Sequence, residues 1–174
     1  KAILQAKDIC KVDSNGECTS SGIKPSIETS IHMAVYRARP DVNAVVHAHP
    51  VFASTFCAVE AKINTRLTAE ARVILGEPVK TPYALSGSKQ LSHYVTAAVS
   101  CRSEAKNQTA AGICNVILME NHGVIALGSS LLEAFHRIEV LEDAAKMTLA
   151  THVMGNCREL SDSEIIELHK FFDK

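Results

Sequence analysis

The chain has 174 residues, 47% of them hydrophobic and 21% charged, with a net charge of −1. That length suits one domain, residues 1–174, around one core, and that hydrophobic content excludes a disordered chain. No basic run or basic–aromatic stripe is present, so nucleic acid is not an expected partner, and no apolar stretch reaches the ~20 residues of a membrane span.

In chain order, residues 1–8 read as a loop or short helix and residues 9–12 as a short strand. Asp13-Ser14-Asn15-Gly16 is a turn signal that predicts a hairpin. Pro25 suits the first position of a helix, Ile27, Ile31, Ala34, Val35 and Ala38 recur at helical spacing, and Pro40 stops the pattern. Residues 43–49 predict a buried strand broken by Pro50, and residues 51–59 a short helix. Residues 62–77 read as irregular, with a short strand over 72–75 closed by Gly76; residues 78–83 read as an edge strand. Residues 86–100 predict an amphipathic helix with Leu91, Tyr94, Val95, Ala98 and Val99 on one face, and residues 102–111 a polar surface loop. The β-rich runs 116–119 and 124–127 flank Asn121-His122-Gly123 and predict a hairpin whose turn presents His122. Ser129 or Ser130 then caps a long helix to about Met154, Gly155 ends it, and Ser161-Asp162-Ser163-Glu164 fits a capping box for a last helix through Phe172.

Six cysteines are scattered without a C-x-x-C pair and no secretory leader is legible, so free thiols in a reducing, cytoplasmic compartment are expected. The chemistry concentrates elsewhere. Val45-Val46-His47-Ala48-His49 is an apolar run ending in two histidines with one residue between. A strand turns alternate side chains to one face, so the two imidazoles form half a zinc site. His122, from a second strand end, is a third candidate, and three histidines can leave a fourth position on the metal open. Glu28 reads either as an acid complementing a helix N-terminus, worth about 0.3–1 kcal/mol, or as a base reaching the metal. Ser26 is equally double, a helix-start hydroxyl or an anion-binding one. His32, one helical turn beyond Glu28, could orient it, whereas His93, His136, His152, His169, Glu139 and Glu142 read as solvated or paired.

At these residues the chain resembles the class II aldolase/adducin family, which includes L-fuculose-1-phosphate aldolase and L-ribulose-5-phosphate 4-epimerase. The segments that carry the likeness are Lys24-Pro25-Ser26-Ile27-Glu28, Ile31-His32, Asn43-Ala44-Val45-Val46-His47-Ala48-His49-Pro50, Thr81-Pro82-Tyr83, Gly87-Ser88, Met119-Glu120-Asn121-His122-Gly123-Val124 and Leu141-Glu142. The resemblance implies a three-layer α/β/α sandwich around a mainly antiparallel sheet. It implies that His47, His49 and His122 hold a divalent metal, most often zinc, that Glu28 is the acid/base carboxylate, and that Ser26 contacts the substrate phosphate. It also implies a homotetramer with sites between subunits.

Three departures stand out. The family's N-terminal helix and Gly-rich phosphate segment precede the point where this chain begins, so the domain is expected to be N-terminally incomplete. Ile27 occupies the place of the second phosphate-site serine. Thr68 falls where the fuculose-phosphate enzyme has a tyrosine proton donor, and the tail carries Phe171 and Phe172 with no tyrosine. The resulting expectation is a zinc-dependent aldolase that cleaves a phosphorylated ketose to dihydroxyacetone phosphate and an aldehyde through a metal-stabilised enediolate. The alternatives are a sugar-phosphate epimerase, dehydratase or decarboxylase of the same fold, or a non-catalytic adducin-like interaction module.

Overall fold

The two most apolar runs of the chain become the centre of a four-stranded sheet. In a computed structural model that describes residues 5–100 and 114–172, the strands are β1 (Ala44–Ala48), β2 (Val79–Thr81), β3 (Val116–Met119) and β4 (Gly123–Gly128), ordered β1-β4-β3-β2. β4 runs antiparallel to both β1 and β3, and β2 runs parallel to β3 at the other edge. Every residue of β3 and β4 is buried, because helices cover both faces of the sheet.

Alternation along the strands sorts the side chains into two cores. Val116, Leu118, Val124 and Ala126 pack on α2 (Val51–Cys57), α3 (Ala69–Leu75) and α5 (Leu131–Met154) through Ala53, Phe56, Leu75 and Leu141. Ile117, Met119, Ile125 and Leu127 pack on α1 (Thr29–Ala38) and α4 (Lys89–Ser100) through Ile31, Val35, Leu91 and Val95. Each such aliphatic side chain contributes about 1.5–3 kcal/mol relative to an exposed one. This is the expected three-layer α/β/α arrangement with a mixed, mainly antiparallel sheet. A last helix, α6 (Asp162–Phe172), packs on α3 and buries Ile165.

Several boundaries differ from the sequence reading. α1 begins at Thr29 and not at Pro25, because the Ser26 hydroxyl accepts from the Glu28 amide (3.2 Å) and the Ser26 carbonyl from Thr29 (3.1 Å), closing a turn first. Glu28 therefore flanks the helix and does not sit in its first turn. α2 stops at Cys57, short of Val59. The expected strand over 72–75 is helix: α3 is capped by the Thr68 hydroxyl, which accepts from the Ala71 amide (3.1 Å), and it ends at Gly76 with φ +60°. α4 starts at Lys89, because the Ser88 hydroxyl accepts from the Leu91 amide (3.1 Å). The strand over 9–12 is reduced to one bridge, Val12 to Cys18, around the expected turn. Residues 102–111 lie outside the described residues.

Candidate metal centre

The site forms where β1 ends. Val46 and Ala48 pack toward the α2/α5 layer while Val45 packs toward the α1/α4 layer, so His47 is turned to the α1/α4 side. α1 packs on that same face, and Glu28 is the residue that flanks its start. β1 pairs with β4 through Ala48 and Val124, and this register lays the β3–β4 turn beside the end of β1. In that turn Asn121 takes the left-handed conformation (φ +51°) and the His122 amide donates to the Met119 carbonyl (3.1 Å). Gly123 follows because the His49 ring and the Ala48 carbonyl occupy the space of a side chain: a Cβ there would stand 2.9 Å from His49 Nε2 and 2.8 Å from Ala48 O.

The three imidazoles converge. His47, His49 and His122 each offer a ligand atom, all within 4.8 Å of one another, and the Nε2 atoms of His47 and His49 are 3.1 Å apart. Ligands ~2.0–2.1 Å from a tetrahedral zinc are separated by roughly 3.3 Å, so the pair already has metal-ligand spacing. His47 Nδ1 lies 2.9 Å from the Val124 carbonyl. A carbonyl only accepts, so the proton resides on Nδ1 and the lone pair on Nε2. Burial pushes the His47 pKa down to about 4, against the raising effect of the Val124 bond, and His122, His49 and His32 lower it further. Burial also lowers His32, with Glu28 opposing. His47 is thus neutral at pH 7, the form a metal takes.

Glu28 Oε1 lies 3.6 Å from His122 Nε2, with the two side chains only 15% and 12% exposed. Glu28 Oε2 and His122 Nδ1 are buried and have no hydrogen-bond partner among the described residues. Orphaned polar atoms beside a nitrogen-rich donor set fit a cation or a polar ligand there. Ser26 is exposed, and lines a cleft of about 580 Å³ together with Thr29, Gly87 and Lys89. Thr68 is engaged as the α3 cap.

Two residues near the centre carried no role in the sequence reading. The Glu142 carboxylate accepts from the Phe52 (3.1 Å) and Ala53 (2.9 Å) amides and so closes the start of α2, directly after His49-Pro50. Its signal was positional, since it lies one helical turn beyond core Ile138 and beside core Leu141; of the two readings, solvated or paired, the structure shows the paired one. The Ser86 hydroxyl is 3.4 Å from His122 Nε2, and no pattern in the sequence marked it.

Comparison with known proteins places the chain in a family. The family model described as Class II Aldolase and Adducin N-terminal domain matches residues 1–149. An L-fuculose phosphate aldolase of Methanococcus vannielii is 33% identical over 83% of this chain and 70% of its own length. An L-fuculose phosphate aldolase of Escherichia coli K12 is 35% identical over 97% of this chain and 73% of its own. The crystal structure of YgbL from Escherichia coli superposes with a TM-score of 0.81 at 27% identity, covering 96% of this chain and 76% of that one. The chain belongs to the class II aldolase and adducin N-terminal domain family, as an aldolase-type carbon–carbon lyase.

Proposed function

We propose that this protein is a zinc-dependent aldolase that cleaves a ketose 1-phosphate of the L-fuculose 1-phosphate kind to dihydroxyacetone phosphate and an aldehyde. The observation that carries the reading is the convergence of His47, His49 and His122 within 4.8 Å, with the Glu28 carboxylate 3.6 Å from His122. A divalent cation held by the three histidines would supply Lewis-acid polarisation of the substrate's carbonyl and hydroxyl oxygens.

The remaining work falls to the chain's own groups. His47 presents a neutral nitrogen of fixed tautomer, set by the Val124 carbonyl. In the condensation direction Glu28 takes the proton from the hydroxymethyl carbon that forms the new bond, and in cleavage it returns that proton to the same carbon. At 15% exposure the Glu28 side chain is largely withdrawn from bulk water. Ser26 meets the substrate phosphate at the entrance to α1, where the helix start favours an anion, and Ile27 leaves that grip one hydroxyl short of the family pattern. No lysine Schiff base is required.

The assembly proposed is a homotetramer with sites near subunit contacts. Exposed Ile27, Val51, Tyr83 and Leu85 come from segments around the site, and Leu131, Leu132 and Phe135 expose apolar surface at the start of α5, both suited to burial against another copy. A cytoplasmic location is supported by the unpaired thiols of Cys10, Cys18, Cys57 and Cys157 and by the lack, among the described residues, of a helix able to cross a membrane.

The test is a product assay on zinc-loaded protein, run with L-fuculose 1-phosphate beside L-ribulose 5-phosphate. Release of dihydroxyacetone phosphate that is lost in His47→Ala and in Glu28→Ala, with both variants folded by circular dichroism, supports the reading. Epimerised pentulose as the sole product, or cleavage that survives in either variant, refutes it.

A further inference from the structure

Ser86 sits in the segment between β2 and α4, half-buried, with its hydroxyl 3.4 Å from His122 Nε2. Glu28 Oε1 approaches the same nitrogen at 3.6 Å, so a hydroxyl, a carboxylate and an imidazole surround one point. The segment is pinned from both sides by neighbours of those very groups. The Tyr83 amide donates to the Glu120 carboxylate (2.9 Å), and the Glu120 amide donates back to the Thr81 carbonyl (3.1 Å); Glu120 precedes His122 by two residues. On the other side Gly87, at φ +75°, lies against Ile27, the residue before Glu28, so closely that a Cβ would collide with the Ile27 side chain. Ser86, His122 and Glu28 are thereby held as one unit.

Local structure does not consume this hydroxyl. The cap of α4 is Ser88, not Ser86. The contact to His122 is at the long end for a hydrogen bond, so it offers little to hold the hydroxyl there once a better acceptor arrives. We infer that Ser86 is a further ligand-contacting residue of this site, its hydroxyl donating a hydrogen bond to an oxygen of a bound hydroxycarbonyl substrate. The inference rests on the metal-site reading above, but not on the identity of the sugar.

The experiment compares wild type, Ser86→Ala and Ser86→Thr. Zinc affinity is read by competition with a chromophoric chelator. The zinc-loaded proteins are then titrated calorimetrically with acetohydroxamate, a small ligand that offers two oxygens to an open metal position. The expected result is an unchanged zinc Kd in all three, with acetohydroxamate bound about 3- to 10-fold more weakly by Ser86→Ala, the size of one neutral hydrogen bond, and restored in Ser86→Thr. Equal acetohydroxamate affinity in wild type and Ser86→Ala overturns the inference. So does a loss of zinc in Ser86→Ala, which makes Ser86 a support for His122, and so does a wild type that takes up zinc but no hydroxamate. A wild type that binds no zinc removes the metal-site reading itself, and the inference with it, and the chelator titration alone identifies that case.

Discussion

Replacing Gly123 with alanine adds a single methyl group at the tightest point of the site. The Cβ would lie 2.9 Å from His49 Nε2 and 2.8 Å from the Ala48 carbonyl oxygen, and His49 Cδ2 is nearer still. Ordinary heavy-atom contacts are about 3.5–4.0 Å, so something must retreat by roughly 1 Å. The Ala48 carbonyl belongs to β1, whose pairing with Val124 resists movement. The His49 ring is the freer partner, and it is one of the three proposed ligands. Overpacking of this kind costs about 1–3 kcal/mol, which for a domain of this size lowers Tm by about 2–12 °C. Disturbing a residue behind a ligand typically weakens metal binding about 10- to 100-fold, and displacing the ligand itself should do at least as much. Zinc competition titration and calorimetry of the metal-free protein measure the two effects separately. Gly22→Ala is the control: nothing lies within 4 Å of its Cβ position and its φ is +75°, so it carries backbone strain of about 1–2 kcal/mol with no change in zinc affinity. Wild-type zinc affinity in Gly123→Ala would refute the argument that this glycine exists to admit His49.

Glu142→Ala strips the start of α2 of a carboxylate acceptor that serves two amides, and should cost about 1.5–3 kcal/mol in denaturant melts together with a weaker zinc Kd; a stable variant with normal Kd shows that α2 does not position His49. Acid should weaken the metal-free fold through His47. Its folded pKa, about 4, lies below the ordinary value near 6.5, so the unfolded chain binds the proton first. This contribution is whole above pH ~6.5 and fades as pH falls toward ~4. Urea melts across that window should show a shallower pH slope in His47→Asn than in wild type, and identical slopes contradict the assignment.

Legibility of the fold followed the source of each element's stability. β3, β4 and α5 were readable because their signals are contiguous: two unbroken apolar runs, a Ser130 hydroxyl that accepts from the Glu133 amide, and Gly155 at φ +74°. The capping box at Ser161 and Glu164 forms as expected, with each side chain accepting from the other's amide. α3 was misread because Val73-Ile74 favours a strand and seven residues show little helical period. Its helix is stabilised by tertiary burial of Ala71, Arg72 and Leu75 and by the Thr68 cap, which only the folded chain makes effective. At the start of α1 the same competition was local, between Pro25 as a helix opener and Ser26 as a turn former, and the serine side chain prevails.

The site divides along the same line. The histidine pair was legible because it closes an apolar strand run, although β1 itself stops at Ala48 and His49 lies one residue beyond it, and His122 because its turn is bounded by two apolar strands. Glu28 stayed ambiguous, since its position depends on whether the helix begins before or after it; the later start is what leaves its carboxylate beside His122. Ser86 was not legible, and Glu142 was legible only as a solvated or paired acid, without its partner. Ser86 approaches His122 across 36 residues of sequence, and Glu142 approaches Phe52 across 90, so their places exist only once the layers have packed. The tautomer of His47 belongs to this second class as well. The Val124 carbonyl that faces Nδ1 is put there by the β1–β4 register, and a slip of one residue would turn the histidine to the opposite layer. Strand pairing therefore decides which nitrogen carries the lone pair, and the chemistry of the centre is set by the hydrogen-bond ladder of the sheet as much as by the histidines themselves.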